Sequence, residues 1–232
     1  MPSLKFNKIN TLFRPTNDFK TEHLNISIQM PVIKREVIPE KVISNLKAIN
    51  FQNVRLDTIY SDRIVFHFRY DTELNRMWNS TLESTRKLIF RCNYTSTPDF
   101  SVYPGMNQKV ILDNTYKNRY LGALWQTLGC HVFPTISWAD QDSYDICFSG
   151  VEKHSIVVIS TLGVSSGNID MFLRGYNEMK KRLEPEIILV YGNKIEGMSG
   201  RCKFFLYRDA IESKYKQIDL FQTEKDAIEE IA

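Results

Sequence analysis

SIVVISTLGVSSGNIDMFLRGYNEMKKRLEPEIILVYG, from Ser155 to Gly192, is the stretch whose pattern decides the fold. Ser155–Thr161 is a continuous β-branched run, which suits a strand buried on both faces. Ile169, Phe172, Leu173, Tyr176, Met179 and Leu183 then recur at helical spacing, while Arg174, Glu178, Lys180, Lys181 and Arg182 take the opposite side. Asn168 is placed to cap this helix and Asp170 to lie in its first turn, beside the positive end of the helix dipole. Pro185 stops the helix, and Glu186–Gly192 is a second buried strand. Strand, helix and strand joined by short connections make a parallel βα unit.

Outward from this unit the pattern repeats. Cys130–Ser137 (CHVFPTIS) predicts the preceding strand, and Tyr120, Leu121, Leu124 and Leu128 mark a helix that Gly129 terminates. Lys87–Cys92 (KLIFRC) reads as a short apolar strand. Ile64, Phe66 and Phe68 alternate with period two, after a predicted turn at Ser61-Asp62. Val42, Ile43, Leu46 and Ile49 predict a helix over Glu40–Ile49. The fold class is therefore α/β, a mainly parallel sheet of repeated βα units, either doubly wound or partially barrel-like. Residues 1–37 are expected to form an irregular arm, 38–206 the α/β core and 207–232 a helical tail.

Composition narrows the setting. The 232 residues are 43% hydrophobic and 12% aromatic, enough for a sizeable core, and the net charge of +3 does not mark a dedicated nucleic-acid binder. The first residues lack the apolar core of a secretory signal, and no run approaches the roughly 20 apolar residues that span a bilayer. This predicts a cytoplasmic protein with no membrane partner. Cys92, Cys130, Cys147 and Cys202 are far apart, which argues against a disulfide framework or a zinc site.

Parallel α/β folds build their sites at the carboxyl ends of the strands. The loops expected there bring Asp99, Ser101, Tyr103, Trp138, Asp140, Asp142, Thr161 and Asn193 to one edge. Asp99 and Asp140 are the candidate proton-handling residues. Asp99, Asp140 and Asp142 are the candidate ligands for a divalent metal such as Mg²⁺, although capping of turns by their own side chains is the commoner use of such aspartates. A calcium loop is rejected, because its sixth position would be Asp145 rather than Gly and its twelfth Val151 rather than Glu. Gly163–Asn168 precedes a helix N-terminus that can cradle an anion, without a Walker or Gly-x-Gly-x-x-Gly spacing. Lys194 and Arg201, in the flexible segment Gly192–Lys203, and Arg119 supply positive charge for a small anionic ligand. Trp138 and Tyr191, at strand ends, are placed to stack on a ring. His23, His67, His131 and His154 are scattered, and no nucleophile signature accompanies them.

Several motifs recur in order: TPDFSVYPGM, NRYLGALWQTLGCHVFPTISW, DICFSG, STLG and FLRGYNEMKKRLEPEIILVYG. With them the chain resembles an uncharacterised family of unknown function found in Gram-positive bacteria, their phages and other mobile elements. The likeness spans roughly Arg63–Gly192 and includes Pro98, Asp99, Phe100, Ser101, Arg119, Gln126, Trp138, Cys147, Gly163, Gly175, Pro185 and Tyr191. Asn107 departs from it, standing where the family pattern has Pro. The resemblance transfers no catalytic residue. It implies a phage or mobile-element protein acting in the bacterial host cell. Two functions compete: a strand-end pocket for a nucleotide-like or phosphorylated ligand, or an interaction protein that modulates host machinery by binding a host protein or nucleic acid through its basic arm.

Overall fold

The computed structural model describes residues 24–25 and 30–207. Two parallel sheets form its centre. The first orders β3 (Lys47–Asn50), β4 (Tyr60–Phe66), β5 (Cys92–Ser96) and β6 (His131–Phe133), and the second orders β7 (Ile156–Ser160), β8 (Ile187–Tyr191) and β9 (Cys202–Phe205). Neighbours in space are neighbours in sequence throughout. A parallel bridge between Thr135 and Val158 links the sheets, with Ile136 N donating to Val158 O at 2.8 Å and Val158 N to Pro134 O at 2.8 Å. Leu24–Asn25 (β1) and Met30–Pro31 (β2) pair as a small antiparallel ribbon.

Strand alternation explains how both faces are buried. Ala48, Ile64, Phe66, Phe133, Ile156, Val158, Ile187, Leu189, Tyr191 and Phe205 meet in one cluster drawn from both sheets. Phe66 of β4 touches Tyr191 of β8 and Phe205 of β9, with ring centroids 4.9 and 5.1 Å apart, so the two sheets face each other across this interior. The alternate residues point outward to the helices. Ile49, Val65 and Val132 pack with α2 (Asp71–Asn79), α3 (Thr81–Ile89) and α4 (Gln108–Thr127), while Val157, Ile159, Ile188 and Val190 pack with α5 (Tyr144–Cys147) and α6 (Ile169–Leu183). Among the described residues no ladder joins β9 to β3, so the barrel is not closed. Side chains connect the sheets there instead: Tyr191 OH of β8 donates to Asn50 Oδ1 of β3 at 3.1 Å, and Lys203 Nζ of β9 donates to the carbonyls of Ile43 and Ser44 at the end of α1 (Glu40–Asn45).

Several boundaries differ from the sequence expectations. The helix predicted over Glu40–Ile49 ends at Asn45, and Lys47–Asn50 is β3. Ala48 and Ile49 are buried on opposite faces of the sheet, which a strand achieves and a helix does not. Lys87–Ile89, expected in a strand, closes α3, whose buried face is Thr81, Ser84, Thr85 and Leu88. A short apolar run is ambiguous between strand and helix end, and the upstream i, i+3, i+4 spacing decides it. Ser61-Asp62 lies inside β4 at a register irregularity rather than in a turn, with Asp62 paired to Lys47 of β3 at 3.0 Å. The helix expected around Tyr120–Leu128 begins earlier, at Gln108. Asn107 is its N-cap and accepts from Lys109 N at 2.9 Å, so the departure from the family's Pro has a structural use.

Met30 and Ile33, within the segment read as an arm, are buried in the core. Ile33 N donates to Gly150 O at 3.0 Å, and Gln126 of α4 exchanges two hydrogen bonds with the backbone of Lys34, each at 2.8 Å. Deleting residues 1–37 would therefore remove core side chains. The helical tail expected after Tyr207 lies outside the described residues.

Candidate functional site

The carboxyl ends of β3, β4, β5, β6, β7 and β9, or the connections that leave them, contribute to one cleft of about 600 Å³. Asn50 comes from β3, and Phe68, Arg69 and Tyr70 follow β4. Asp99, Ser101 and Tyr103 follow β5, while Ser137 and Trp138 follow β6. Ser160 and Gly163 lead from β7 to Asn168, Met171 and Phe172 at the start of α6, and Tyr207 follows β9. In-order parallel strands bring all these loops to one end.

Asp99 is held from beneath by buried polar groups. Thr97 N donates to Phe133 O at 3.1 Å, Thr97 Oγ1 to Asn118 Oδ1 at 2.9 Å, and Thr135 N to Thr97 Oγ1 at 2.7 Å. Asn118 Nδ2 of α4 donates to Pro98 O at 2.8 Å. The turn before Asp99 is thus fastened to a helix and to the neighbouring strand at once. A fully satisfied buried network of this kind rigidifies the residue it carries. The Asp99 side chain, partly buried in the cleft, accepts from Ser137 Oγ. Burial pushes its carboxyl up to about 6, against the pull of the Ser137 bond and with the charge of Asp71 adding to the rise. Asp71 opens α2 and accepts from Ser101 N at 3.0 Å.

The walls are largely aromatic. Trp138 packs on Phe172 with centroids 5.3 Å apart and meets Phe148 at 6.2 Å. Phe68 stacks on Tyr191 at 4.8 Å. Tyr70 and Tyr103, 78% and 57% exposed, form the rim. Arg69, just ahead of α2, grips Glu73 in its first turn through Nε and Nη2 at 3.0 and 2.8 Å, which offsets its charge. Asn168 does not cap α6 through its side chain. Its Oδ1 accepts from Ser165 N at 2.7 Å and its Nδ2 donates to Gly163 O at 3.1 Å, drawing the loop before α6 together.

Trp138 depends on Gly175 of α6. A Cβ built there would stand 2.1 Å from the indole Cδ1 and Nε1. Gly175→Ala should therefore displace Trp138 and destabilise the fold by about 1–3 kcal/mol, the usual cost of overpacking. Urea unfolding and the tryptophan emission maximum would measure both effects, and an unchanged emission maximum with full stability would contradict the packing.

Of the residues expected from sequence, Asp99, Ser101, Tyr103 and Trp138 meet in the cleft. The others stand elsewhere. Arg119 is buried beneath it, bonded to backbone carbonyls. Tyr191 faces the shared interior of the sheets. Thr161 is buried and donates to Asn193 O at 2.8 Å, while Asn193 and Lys194 are exposed outside the lining. Arg201 precedes β9 and pairs with Glu40 at 2.9 Å, at the amino ends of the strands and so at the far end from the cleft. Asp140 and Asp142 are exposed on the short turn around Gln141–Ser143. The Asp140 carbonyl there accepts from Ser143 N and Oγ at 3.0 and 2.7 Å. They do not join Asp99. Among the described residues no three His, Cys, Asp or Glu side chains gather as a metal set.

Sequence reasoning missed Asn50, Phe68, Arg69, Tyr70, Ser137, Phe172 and Tyr207. A signal for the β4 group was present. Ending the strand that holds Ile64 at Phe66, rather than running it on through Phe68, puts Phe68, Arg69 and Tyr70 at the strand end and so in the cleft.

The fold is that of a mainly parallel α/β protein with a cleft at the carboxyl ends of its strands. The chain belongs to the family described as a domain of unknown function (DUF4417), whose model matches residues 25–208. It is similar to the Gene 1 protein of Mycobacterium phage D29, 31% identical over 184 residues covering 76% of this chain and 68% of the relative. The Gene 1 protein of Mycobacterium phage L5 is 41% identical over 127 residues, 54% of this chain and 55% of the relative, so the match spans little more than half of that protein. These relatives agree with the phage family that the motifs resemble. No solved structure matches, and no helix among the described residues is long and apolar enough to cross a membrane.

Proposed function

We propose that this chain binds a nucleotide-like ligand in the strand-end cleft, with its ring against the aromatic walls and its phosphate toward the loop that opens α6. The observation that carries the reading is the part-buried Asp99 carboxyl set among aromatic side chains in a cleft of about 600 Å³. That volume lies within the range of small-molecule sites, which combine apolar walls with a few placed polar groups. The first turn of α6 offers backbone N–H groups and a positive dipole end beside Gly163 and Asn168, which suits phosphate. A carboxyl that titrates near 6 is also suited to exchange a proton with a bound ligand.

Calorimetric titration with nucleoside mono- and triphosphates tests the reading. Binding should be at least about tenfold weaker in Asp99→Asn, as for loss of a charged hydrogen-bond partner. Failure of every nucleotide to bind would overturn it.

The same substitution carries a stability signature. Asp99 has its carboxyl raised from 3.8 to about 6, so between those values the native state holds a proton that the unfolded chain has lost. Stability therefore falls as pH rises through this window. Asp99→Asn should accordingly stabilise the protein at pH 7–8 by about 2 kcal/mol, discounting the full shift for partial solvent access, and by nothing at pH 3.5. Chemical unfolding at the two pH values measures the difference, and equal gains at both would show that charge burial is not the cause.

A further inference from the structure

The hydrogen-bonding groups of the cleft are unequally engaged. Ser137 gives its hydroxyl hydrogen to Asp99 Oδ1, which leaves Asp99 Oδ2, the remaining lone pair of Oδ1 and the Ser137 lone pairs as acceptors. Ser160 Oγ donates to Tyr191 O at 3.3 Å and accepts from Leu162 N at 3.1 Å, so it is saturated on its donor side. Both polar atoms of Asn168 bond within the loop. Arg69 is neutralised by Glu73, so no protein cation answers the Asp99 carboxylate among the described residues. Asn50 has its Oδ1 fixed by Tyr191 OH, and that bond orients its Nδ2 as a donor.

A partly desolvated carboxylate without a cation wants N–H donors from whatever fills the space above it. The aromatic walls want that donor to be planar. The Asn50 amide adds one place for a carbonyl oxygen. Two adjacent N–H donors beside a carbonyl, on a flat ring, are the pairing edge of guanine. Adenine and cytosine offer an acceptor next to their amine, and uracil has one N–H between two carbonyls. We propose that the cleft selects a guanine-type base, with Asp99 accepting from the ring N–H and the exocyclic amine. The inference rests on the nucleotide reading above and specifies its base.

The test is calorimetric titration of the full chain with guanosine, inosine, adenosine and uridine 5′-monophosphates. Guanosine monophosphate should bind most tightly. Inosine monophosphate, which lacks only the exocyclic amine, should bind at least about tenfold more weakly, the effect of losing one hydrogen bond to a charged group. Asp99→Asn should erase the difference between those two ligands. Equal affinity for all four, or a preference for adenosine or uridine, would overturn the base assignment while leaving the cleft as a nucleotide site. Binding of none would overturn both.

Discussion

Replacing Arg119 with methionine should cost about 3–5 kcal/mol, because it strips several buried oxygen acceptors of their donor at once, each at about 1–3 kcal/mol before relaxation. Arg119 is almost fully buried, and its guanidinium bonds across three parts of the fold. Nε donates to Ser149 O at 2.8 Å and Nη2 to Cys147 O at 2.6 Å, at the end of α5. Nη1 donates to Thr135 O at 3.1 Å, beside the bridge between the sheets, and to Asn118 Oδ1 at 2.5 Å. No carboxylate pairs with it among the described residues. Carbonyl dipoles stabilise the charge instead, and burial lowers its pKa only to about 10, so it stays protonated at neutral pH. Methionine would fill much of the aliphatic volume but leave these acceptors unpaired. Lysine should rescue little, because a compact ammonium cannot reproduce the five-donor fork. Denaturant midpoints of the two variants would test this, and a loss below about 1 kcal/mol for methionine would mean the carbonyls find other partners.

The second large effect concerns acid. His67 is fully buried between Phe51 and Trp125, with ring centroids 5.0 and 5.3 Å away. Its Nδ1 lies 3.5 Å from Ser96 Oγ, and its Nε2 has no partner among the described residues. Burial lowers its pKa from 6.5 to about 3, with a backbone bond at Ser96 opposing and the charge of Lys87 assisting. The unfolded chain therefore takes up a proton that the native state refuses, and stability falls as pH drops below 6.5. At about 1.4 kcal/mol per pH unit, His67 removes about 3 kcal/mol between pH 6.5 and 4. Asp99 acts with the opposite sign over nearly the same window, so the two partly cancel in the wild-type protein. In the Asp99→Asn background the acid slope should stand exposed, and adding His67→Leu should flatten it. Unfolding free energies measured from pH 7 to 4 decide the matter. A slope that survives in the double variant would assign it to other groups.

That balance was invisible in the sequence, although much else was legible. β7, α6 and β8 followed from local pattern: a β-branched run, a one-sided apolar stripe, and a proline just after the helix, which ends in left-handed Glu184. These are short-range preferences of the backbone and of amphipathic faces, so each segment carries its own instructions. The strand-end rule groups Asp99, Ser101, Tyr103 and Trp138, which do line the cleft, but also Asp140, Asp142, Thr161 and Asn193, which do not. Tertiary structure alone decided which polar side chains reach solvent in the cleft. Tyr191 and Arg119 turn into packed interiors, Arg201 stands at the opposite end of the strands, and Asp140 lies on an exposed turn. A residue's position along a strand or helix is local, but its burial, and with it the energy of its charge, depends on which distant segments cover it. Ser137 beneath Asp99, 38 residues away in sequence, and Phe51 and Trp125 around His67 are such segments, and no local pattern announces them.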